Sequence, residues 1–359
     1  MSSISCGIVG LPNVGKSTLF NSLTNTSVLA VNYPFATIEP NTGIAAVPEP
    51  KLARLAELFP GTKIIPATVT FIDIAGLVAG AHKGEGLGNQ FLAHIRNCQA
   101  LVQVVRIFTD QNVIHVHNDY NPTRDIEVVN TELILADLQT ISRRIAKFEK
   151  ETRANPKLGS TLATYKRVAK ILDDGRPLWN EKSLDHELLT DLQLITMKPI
   201  IYVFNIDESD TSIDKSALSA LVNPAPAIFI CAALEDQLKD LNEQEAREFL
   251  ISYGQSESGL EKLIRATYDA LDLQSFFTAG PKEVRAWTIQ KGTRAPQAGG
   301  TIHSDFERGF IAVDVVNYKD LIGAGSWAAA KAAGKVRTEG KTYVLKPQDV
   351  VEFRFNVSP

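Results

Sequence analysis

The chain has 359 residues, of which 44% are apolar and 22% are charged, and its net charge is −4 at pH 7. This composition is typical of a globular protein with two or three domains, and it excludes a chain that is disordered throughout. The small net charge also excludes bulk attraction to nucleic acid or membrane, so any basic binding surface must be local.

The N-terminal residues contain no basic segment followed by an apolar stretch, and no apolar run reaches the roughly 18 residues that a membrane crossing needs. The three cysteines, Cys6, Cys98 and Cys231, form neither a disulfide framework nor a metal-binding spacing. Sparse, unpaired cysteines suit a reducing compartment. We therefore expect a cytoplasmic protein with no signal peptide and no contact with a membrane.

Five apolar runs predict the strands of a parallel sheet with helices on both faces. The first run leads through a glycine-rich turn into a helical pattern that begins at Lys16, so the chain opens with a strand–loop–helix unit. The five runs are residues 4–9, 67–74, 100–107, 199–204 and 227–231.

Residues 127–196 have a different pattern, in which apolar residues recur every three or four positions. Two such stretches, 134–148 and 158–172, are separated by Asn155 and Pro156, which break a helix. This pattern predicts an antiparallel helical hairpin inserted between two strands of the sheet. Its polar positions form either an ordinary solvated face or a basic surface for RNA or an acidic partner. The basic residues there are Arg143, Arg144, Lys147, Lys150, Arg153, Lys157, Lys166, Arg167 and Lys170.

The last segment, residues 274–359, alternates short β-rich runs with glycine and proline turns, which predicts a small α+β domain. The β-rich runs are 284–289, 310–316, 343–345 and 350–355. We therefore predict a parallel-sheet α/β domain at 1–126 and 197–273, a helical insertion at 127–196 and a C-terminal domain at 274–359.

The segment from Gly10 to Ser17 has the spacing G-x-x-x-x-G-K-S of a phosphate-binding loop. Its glycines let backbone N–H groups converge on phosphate oxygens, and the following helix directs its positive end at the same anion. Lys16 adds a charge at the β- and γ-phosphates, and the Ser17 hydroxyl ligates Mg²⁺. The predicted nucleotide contacts in this loop are Asn13, Val14, Gly15, Lys16, Ser17 and Thr18.

Two further segments fit the same site. Asp73 ends an apolar run and is followed three residues later by Gly76, so the carboxylate can hold a water of the Mg²⁺ shell and the Gly76 N–H can bond the γ-phosphate. Thr37 lies in a proline-containing segment between the two motifs and is a candidate second hydroxyl ligand of Mg²⁺; its alternative role is an ordinary turn or cap. We therefore predict Ser17, Thr37 and Asp73 as the metal site.

The base-recognition corner departs from the usual guanine pattern. Many P-loop GTPases carry N-K-x-D after a late strand, and its aspartate accepts two hydrogen bonds from guanine, whereas this chain reads Asn205-Ile206-Asp207-Glu208 after the run 199–204. A glutamate is one methylene longer than aspartate and should spoil the pairing with guanine, so the site should lose its discrimination for that base.

Together, these motifs resemble the YchF-type Obg-like ATPases, a branch of the translation-factor-class P-loop GTPases. Residues 291–310 are similar to the TGS domain of that family, which has a ubiquitin-like fold, and the resemblance covers nearly the whole chain. It implies that ATP is preferred over GTP, that the protein is a monomer, and that it associates with the ribosome and with rRNA or tRNA through the helical and TGS domains. It also implies that Asn205, Ile206 and Glu208 line the base site, and that Cys231, Ala232 and Ala233 pack near the base.

The residue that orients the attacking water is not the usual one. Related GTPases place glutamine directly after D-x-x-G, but here Leu77 stands in that position and cannot bond a water. The resemblance implies that a histidine after the third strand takes this role, which favours His115; His117 and His82 are the alternatives. Asn13 matches the asparagine of potassium-dependent relatives, which implies a K⁺ ion near the phosphates, although it can equally stabilise the loop.

Three functions remain open from the sequence. The first is an ATP-hydrolysing switch that works on the ribosome, and the second is a GTP-specific Obg-type GTPase in which Glu208 still pairs with guanine. The third is a nucleotide sensor without catalysis, since leucine replaces the expected glutamine.

Overall fold

The computed structural model describes residues 4–25, 41–74, 87–108, 121–179, 181, 183–207, 213–238 and 241–356. The strands in these ranges are β1 (Ser5–Val9), β2 (Thr42–Ala46), β3 (Lys63–Ile65), β4 (Thr68–Asp73), β5 (Ala100–Arg106), β6 (Ile200–Asn205), β7 (Ala227–Ile230), β8 (Leu273–Ala279), β9 (Glu283–Gln290), β10 (Phe310–Asn317), β11 (Arg337–Glu339) and β12 (Asp349–Phe355).

The α-helices are α1 (Lys16–Asn25), α2 (Lys51–Ala56), α3 (Leu87–Asn97), α4 (Pro122–Ala154), α5 (Gly159–Asp173), α6 (His186–Leu189), α7 (Lys215–Val222), α8 (Ala232–Leu238), α9 (Glu243–Ser252), α10 (Gly259–Ala270), α11 (Ala295–Ile302), α12 (Ser304–Arg308), α13 (Tyr318–Ala324) and α14 (Trp327–Ala332). Short 3-10 turns occupy Pro156–Leu158, Thr190–Leu192 and Ile195–Met197.

The chain forms two compact units, and the larger one contains residues 4–45 and 70–263. Its sheet has the strand order β2-β4-β1-β5-β6-β7. The pairs β1–β4, β1–β5, β5–β6 and β6–β7 are parallel. Every residue of β5 and β6 is buried, as expected for strands covered on both faces. The predicted parallel α/β sheet is therefore confirmed.

The helical hairpin of the larger unit begins where local chemistry favours it. Pro122 occupies the first turn of α4, and the Asn121 side chain accepts a hydrogen bond of 3.1 Å from the Arg124 N–H. The helix ends at Ala154, immediately before Asn155 and Pro156. α4 and α5 share an apolar core in which the rings of Phe148 and Tyr165 meet edge to face at 5.1 Å. Residues three and four apart along each helix therefore form one packed seam, as the sequence pattern predicts.

The smaller unit contains residues 46–69 together with 264–356. Its sheet has the order β11-β10-β12-β8-β9-β3, with β8 and β12 as parallel neighbours and antiparallel pairs on both sides of them. The helices α11 and α12 connect β9 to β10, and α11 covers a core that includes Phe276, Val313 and Val351. Within residues 273–356, the first strand β8 and the last strand β12 lie side by side at the centre of the sheet, which is the arrangement of a ubiquitin-like domain.

The smaller unit differs from the predicted boundaries because it takes residues 46–69 from the segment assigned to the nucleotide domain. β3 pairs in parallel with β9 at the sheet edge, in the register Lys63 opposite Glu283. The Lys51 ammonium lies 5.7 Å from the centre of the Phe277 ring, and Leu52 and Leu55 are buried. No local pattern reveals this pairing, since it joins residues more than 200 positions apart. The predicted strand at 343–345 forms only an isolated bridge, between Val344 and Arg294.

Candidate nucleotide-binding site

The loop between β1 and α1 lies in the middle of the larger sheet, because β1 is flanked by β4 on one side and β5 on the other. Two of its glycines are required by geometry. Gly10 has φ +149°, and a Cβ there would lie 2.6 Å from the Val104 carbonyl oxygen. Gly15 has φ +96°, and a Cβ there would meet the Asn205 Nδ2 atom at 2.2 Å. The loop therefore packs so closely on β5 and β6 that these positions exclude any side chain.

Lys16 opens α1 and lies against the same loop. Its side chain is buried, and its Nζ atom donates a hydrogen bond of 2.6 Å to the Leu11 carbonyl. Burial lowers the pKa of Lys16 to about 8, although the charge of Asp73 acts in the opposite direction. An anionic phosphate at this position would favour the charged form of Lys16. The environment of Lys16 therefore suits a side chain that gains an anionic partner when a polyphosphate binds.

Ser17 and Asp73 face each other across the site. The Ser17 hydroxyl donates to the Asp73 Oδ2 atom at 3.4 Å, while the Asp73 Oδ1 atom is buried without a hydrogen-bond partner among the described residues. Burial raises the pKa of Asp73, opposed by the charge of Lys16 and by the Ser17 hydrogen bond. A hydroxyl beside an unsatisfied carboxylate oxygen is the oxygen chemistry that Mg²⁺ prefers, so these residues fit the ion.

In the described part of the chain, no group of three or more histidine, cysteine, aspartate or glutamate side chains could hold a metal by itself.

Asn205 joins the phosphate loop to the base-recognition corner. It is buried at the end of β6, and its Nδ2 atom donates to the Val14 carbonyl at 3.0 Å. Its Oδ1 atom accepts from the Ala232 N–H at 3.1 Å. The Asn205 side chain thus connects three separate segments of the chain and positions the phosphate loop. The sequence did not reveal these hydrogen bonds, since the resemblance implied only a contact with adenine. These two contacts use only one N–H of Nδ2, so they are compatible with a contact to a base.

The remaining residues of this corner are arranged around Asn205. The Ile206 N–H donates to the Ile230 carbonyl at 2.9 Å, which aligns the ends of β6 and β7. Cys231 is half-buried, Ala232 is buried and Ala233 is exposed. The predicted base-contacting residues 205–206 and 231–233 therefore lie at the same edge of the sheet as the phosphate loop.

Four predicted site residues lie outside the described residues: Thr37, Gly76, His115 and Glu208. The alternatives His82 and His117 also lie outside them. Their roles stay predictions.

A central phosphate loop, a buried lysine at the start of its helix and a carboxylate at the end of the neighbouring strand define a P-loop nucleotide-binding protein. The family model described as 50S ribosome-binding GTPase matches residues 5–137. A second model, YchF-GTPase_C, described as a protein of unknown function (DUF933), matches residues 273–356.

Similarity to known proteins extends over the whole chain. It is 45% identical to the ribosome-binding ATPase YchF of Bacillus subtilis, covering 99% of this chain and all of the relative, and 46% identical to that of Escherichia coli O157:H7, covering 98% and 99%. Obg-like ATPase 1 of Gallus gallus is 41% identical, with coverage of 99% and 93%. The solved Schizosaccharomyces pombe YchF GTPase superposes with a TM-score of 0.87 at 37% identity, covering 98% of both chains. The chain therefore belongs to the YchF family.

No helix within the described ranges combines the length and the apolar character that a membrane crossing requires.

Proposed function

We propose that this protein is an ATPase that binds and hydrolyses Mg–ATP and acts as a nucleotide-dependent switch on the ribosome. The observation that carries the proposal is the set formed by Lys16, Ser17 and Asp73 around the phosphate loop. Relatives with about the same length bear the name ribosome-binding ATPase, which supports both the activity and the partner.

Each described residue of the site has a distinct task in this proposal. The loop from Gly10 to Gly15 binds the phosphates through its backbone, and the Lys16 ammonium neutralises charge that develops on them. Ser17 and Asp73 would hold Mg²⁺, and the ion would supply further positive charge to the phosphates. Asn205 keeps the loop in register with the base corner. We propose that His115 orients the attacking water and that the Gly76 N–H and the Thr37 hydroxyl complete the site.

The proposed preference for ATP over GTP depends on the base corner. The segment from Asn205 to Glu208 has isoleucine at its second position and glutamate at its fourth, where the guanine-recognising pattern N-K-x-D has lysine and aspartate. The competing proposal, a GTP-specific GTPase, requires Glu208 to pair with guanine in spite of its extra methylene. We also propose that turnover is slow and partner-stimulated, and that a monomeric, cytoplasmic protein contacts rRNA or tRNA through its helical hairpin and its C-terminal domain.

Nucleotide titration tests the central proposal. Wild-type protein should bind Mg–ATP more tightly than Mg–GTP, and the double variant Ile206→Lys with Glu208→Asp should reverse this order, since it restores the guanine-recognition pattern. If the double variant leaves the ATP-to-GTP affinity ratio unchanged, the account of base choice is wrong. Turnover measured with and without ribosomes separates a slow, stimulated ATPase from a sensor that never hydrolyses ATP.

The proposed K⁺ ion near Asn13 has its own test. Asn13 has φ +61° in the phosphate loop, a conformation that asparagine tolerates, so a purely structural role is the alternative. Rates of ATP hydrolysis should be higher in KCl than in NaCl at equal ionic strength. Identical rates in the two salts would remove potassium from the proposal.

A further inference from the structure

The residues predicted to pack near the base, 231–233, are fixed on one side by the end of β6. We call these three residues the base segment. The Ala232 N–H donates to the Asn205 Oδ1 atom at 3.1 Å, and the Ile206 N–H donates to the Ile230 carbonyl at 2.9 Å. Contacts on one side alone would let the segment move away from a bound base, so the contacts on its other side affect nucleotide binding.

Glu235 provides a contact on the other side. Its N–H donates to the Cys231 carbonyl at 3.1 Å, so Glu235 lies one helical turn beyond the start of the base segment. The side chain is buried, since only 4% of the residue is exposed. Its Oε1 atom accepts from the Gly259 N–H at 2.6 Å, and the carboxylate also accepts from the Leu260 N–H. Two backbone donors therefore fix the position of this buried carboxyl group.

The two donors are the first N–H groups of α10, which cannot find an acceptor inside their own helix. The third N–H of this helix, from Glu261, is bound locally, because the Ser258 hydroxyl accepts from it at 3.1 Å. The Glu261 Oε2 atom in turn accepts from the Ser258 N–H at 3.1 Å, which completes a capping box. Glu235 therefore supplies, from another helix, the acceptor that the first two N–H groups of α10 need.

Gly259 contacts the chain on both sides of the base segment. A Cβ atom added there would lie 2.8 Å from the Ile230 Cγ1 atom and 2.9 Å from the Glu235 Oε1 atom. Ile230 directly precedes the base segment, and Glu235 follows it by two positions. Gly259 does not have a positive φ, so close packing rather than backbone conformation requires glycine here. We call Ile230, Glu235 and Gly259 the base clamp.

The phosphate loop is held by other residues. The Lys16 Nζ atom donates to the Leu11 carbonyl at 2.6 Å, and the Ser17 hydroxyl donates to the Asp73 Oδ2 atom at 3.4 Å. Loss of the base clamp should therefore loosen the base segment while the contacts of the phosphate loop remain. This separation makes the role of the clamp measurable apart from phosphate binding.

We propose that the base clamp positions the base segment for a purine, so that Glu235 and Gly259 control nucleotide affinity without touching the nucleotide. The inference rests on the proposed function and deepens it, because it assigns the order of the base site to two positioning residues outside that site. A segment that is already ordered in the free protein loses less conformational entropy when a base binds. Affinity that comes from the base should therefore depend on the clamp.

Two ligands separate the base from the phosphates in the full-length protein: Mg–ATP, and inorganic triphosphate with Mg²⁺, which has no base. Glu235→Ala removes the acceptor, so it should lower affinity for Mg–ATP about tenfold and change affinity for Mg–triphosphate less than about twofold. Glu235→Gln keeps an oxygen acceptor and should restore Mg–ATP affinity to within about threefold of wild type. Isothermal titration measures all of these affinities.

Gly259→Ala tests the clamp from the side of α10 and replaces Glu235→Ala if that variant does not fold. Its added methyl group should displace Ile230 and Glu235 and lower Mg–ATP affinity about three- to tenfold, again sparing Mg–triphosphate. Gly159→Ala is the matched control, because Gly159 also opens a helix and an added Cβ there meets nothing within 4 Å. It should leave both affinities unchanged.

A second control removes a carboxylate of the same kind from another helix. The Glu245 Oε2 atom accepts from the Asn242 N–H at 3.0 Å at the start of α9. Glu245→Ala therefore deletes a hydrogen bond from a glutamate to the backbone outside the base clamp, and it should leave both affinities unchanged.

The outcomes distinguish this inference from the proposed function. Mg–ATP affinity equal to wild type in Glu235→Ala, or in Gly259→Ala where Glu235→Ala does not fold, would overturn the clamp even if ATP hydrolysis is intact. Equal losses for both ligands would also overturn it, since a general loss of structure would explain them. So would a wild type that binds Mg–ATP no better than Mg–triphosphate. A wild-type preference for GTP would contradict the proposed base choice, whereas the clamp would stand if the same variants lower GTP affinity.

Discussion

The phosphate loop and four exposed basic residues of α4, Arg143, Lys147, Lys150 and Arg153, which we call the basic stripe, both present groups that attract anions, but the two regions are built differently. In the loop, the critical atoms are buried and fixed by contacts shorter than about 3.4 Å, and two positions exclude even a methyl group. In the stripe, the charges are exposed on one helix face and have few partners. Anion binding by the loop therefore depends on exact geometry, so each residue is required. Attraction of anions by the stripe depends on the summed charge, so no single residue is required.

The largest effect is expected at Lys16. Lys16→Ala removes a buried cation from the phosphate site, and ATP hydrolysis should fall about 1,000-fold, because charge that develops on the phosphates loses its nearest ammonium. Steady-state turnover with Mg–ATP measures the change. The control Lys170→Ala removes an exposed cation from α5 and should leave turnover within twofold. Comparable losses in both variants would contradict the contrast between geometry and summed charge.

The second-largest effect is on the stability of the fold and concerns the contact between α4 and the residues that precede β6. Asp137 is fully buried on α4 and accepts three hydrogen bonds from residues 195 and 196, which precede β6. Asp137→Ala should lower the free energy of unfolding by about 3 kcal/mol, because two backbone N–H groups lose their acceptor. Denaturant titration measures this loss, and Asp191→Ala, at an exposed position, is the control. If the free energy of nucleotide binding falls by as much as the free energy of unfolding, the contact between α4 and residues 195–196 and the nucleotide site are not independent.

Two glycine variants allow the effect of steric crowding to be measured separately from the effect of backbone strain. Gly15→Ala should reduce nucleotide affinity about 10- to 100-fold, because its Cβ would displace Asn205 from the loop. Gly175→Ala has a similar positive φ of +72° but nothing within 4 Å of the added Cβ, so it should cost about 1 kcal/mol of stability and leave affinity unchanged. Isothermal titration with ATP compares the two variants. Equal affinities would show that the close approach of Asn205 is unimportant.

The smallest effect concerns Glu235, which follows the base corner on α8. Its Oε1 atom accepts from the Gly259 N–H at 2.6 Å, and burial raises the pKa of Glu235 to about 7, reinforced by Glu261 and opposed by hydrogen bonds at residues 259–260 and by Lys262. A raised folded-state pKa favours the neutral form, so this contribution to stability is complete below about pH 4.5 and is lost as the pH rises through about 7.

Glu235→Gln removes that titration while keeping an oxygen acceptor. Relative to wild type, the variant should gain on the order of 1 kcal/mol of stability between pH 5 and pH 8. Thermal unfolding across this pH range measures the gain, and Glu245→Gln, at the start of α9, is the control. Parallel pH profiles for wild type and Glu235→Gln would show that burial does not perturb this carboxyl group.

Much of the fold could be predicted because it follows from local patterns. The five apolar runs correspond to β1, β4, β5, β6 and β7, with no end shifted by more than one residue, and the hairpin is interrupted at Asn155 and Pro156. That residues 46–69 belong to the smaller unit could not be predicted, because β3 has only three residues and pairs with β9, which lies far along the chain. The run at 343–345 has β-rich composition but obtains only a single bridge.

By itself, the sequence determined the phosphate loop, the carboxylate at the end of β4, the helical seam and the departure from the guanine pattern, because each depends on residue types at fixed short spacings. Tertiary structure decided which distant atoms meet: Asn205 with Val14 and Ala232, Asp137 with the residues before β6, and Glu235 with Gly259. Contacts between residues far apart in the chain depend on how helices and sheets pack, and that packing is a property of the whole unit rather than of any segment.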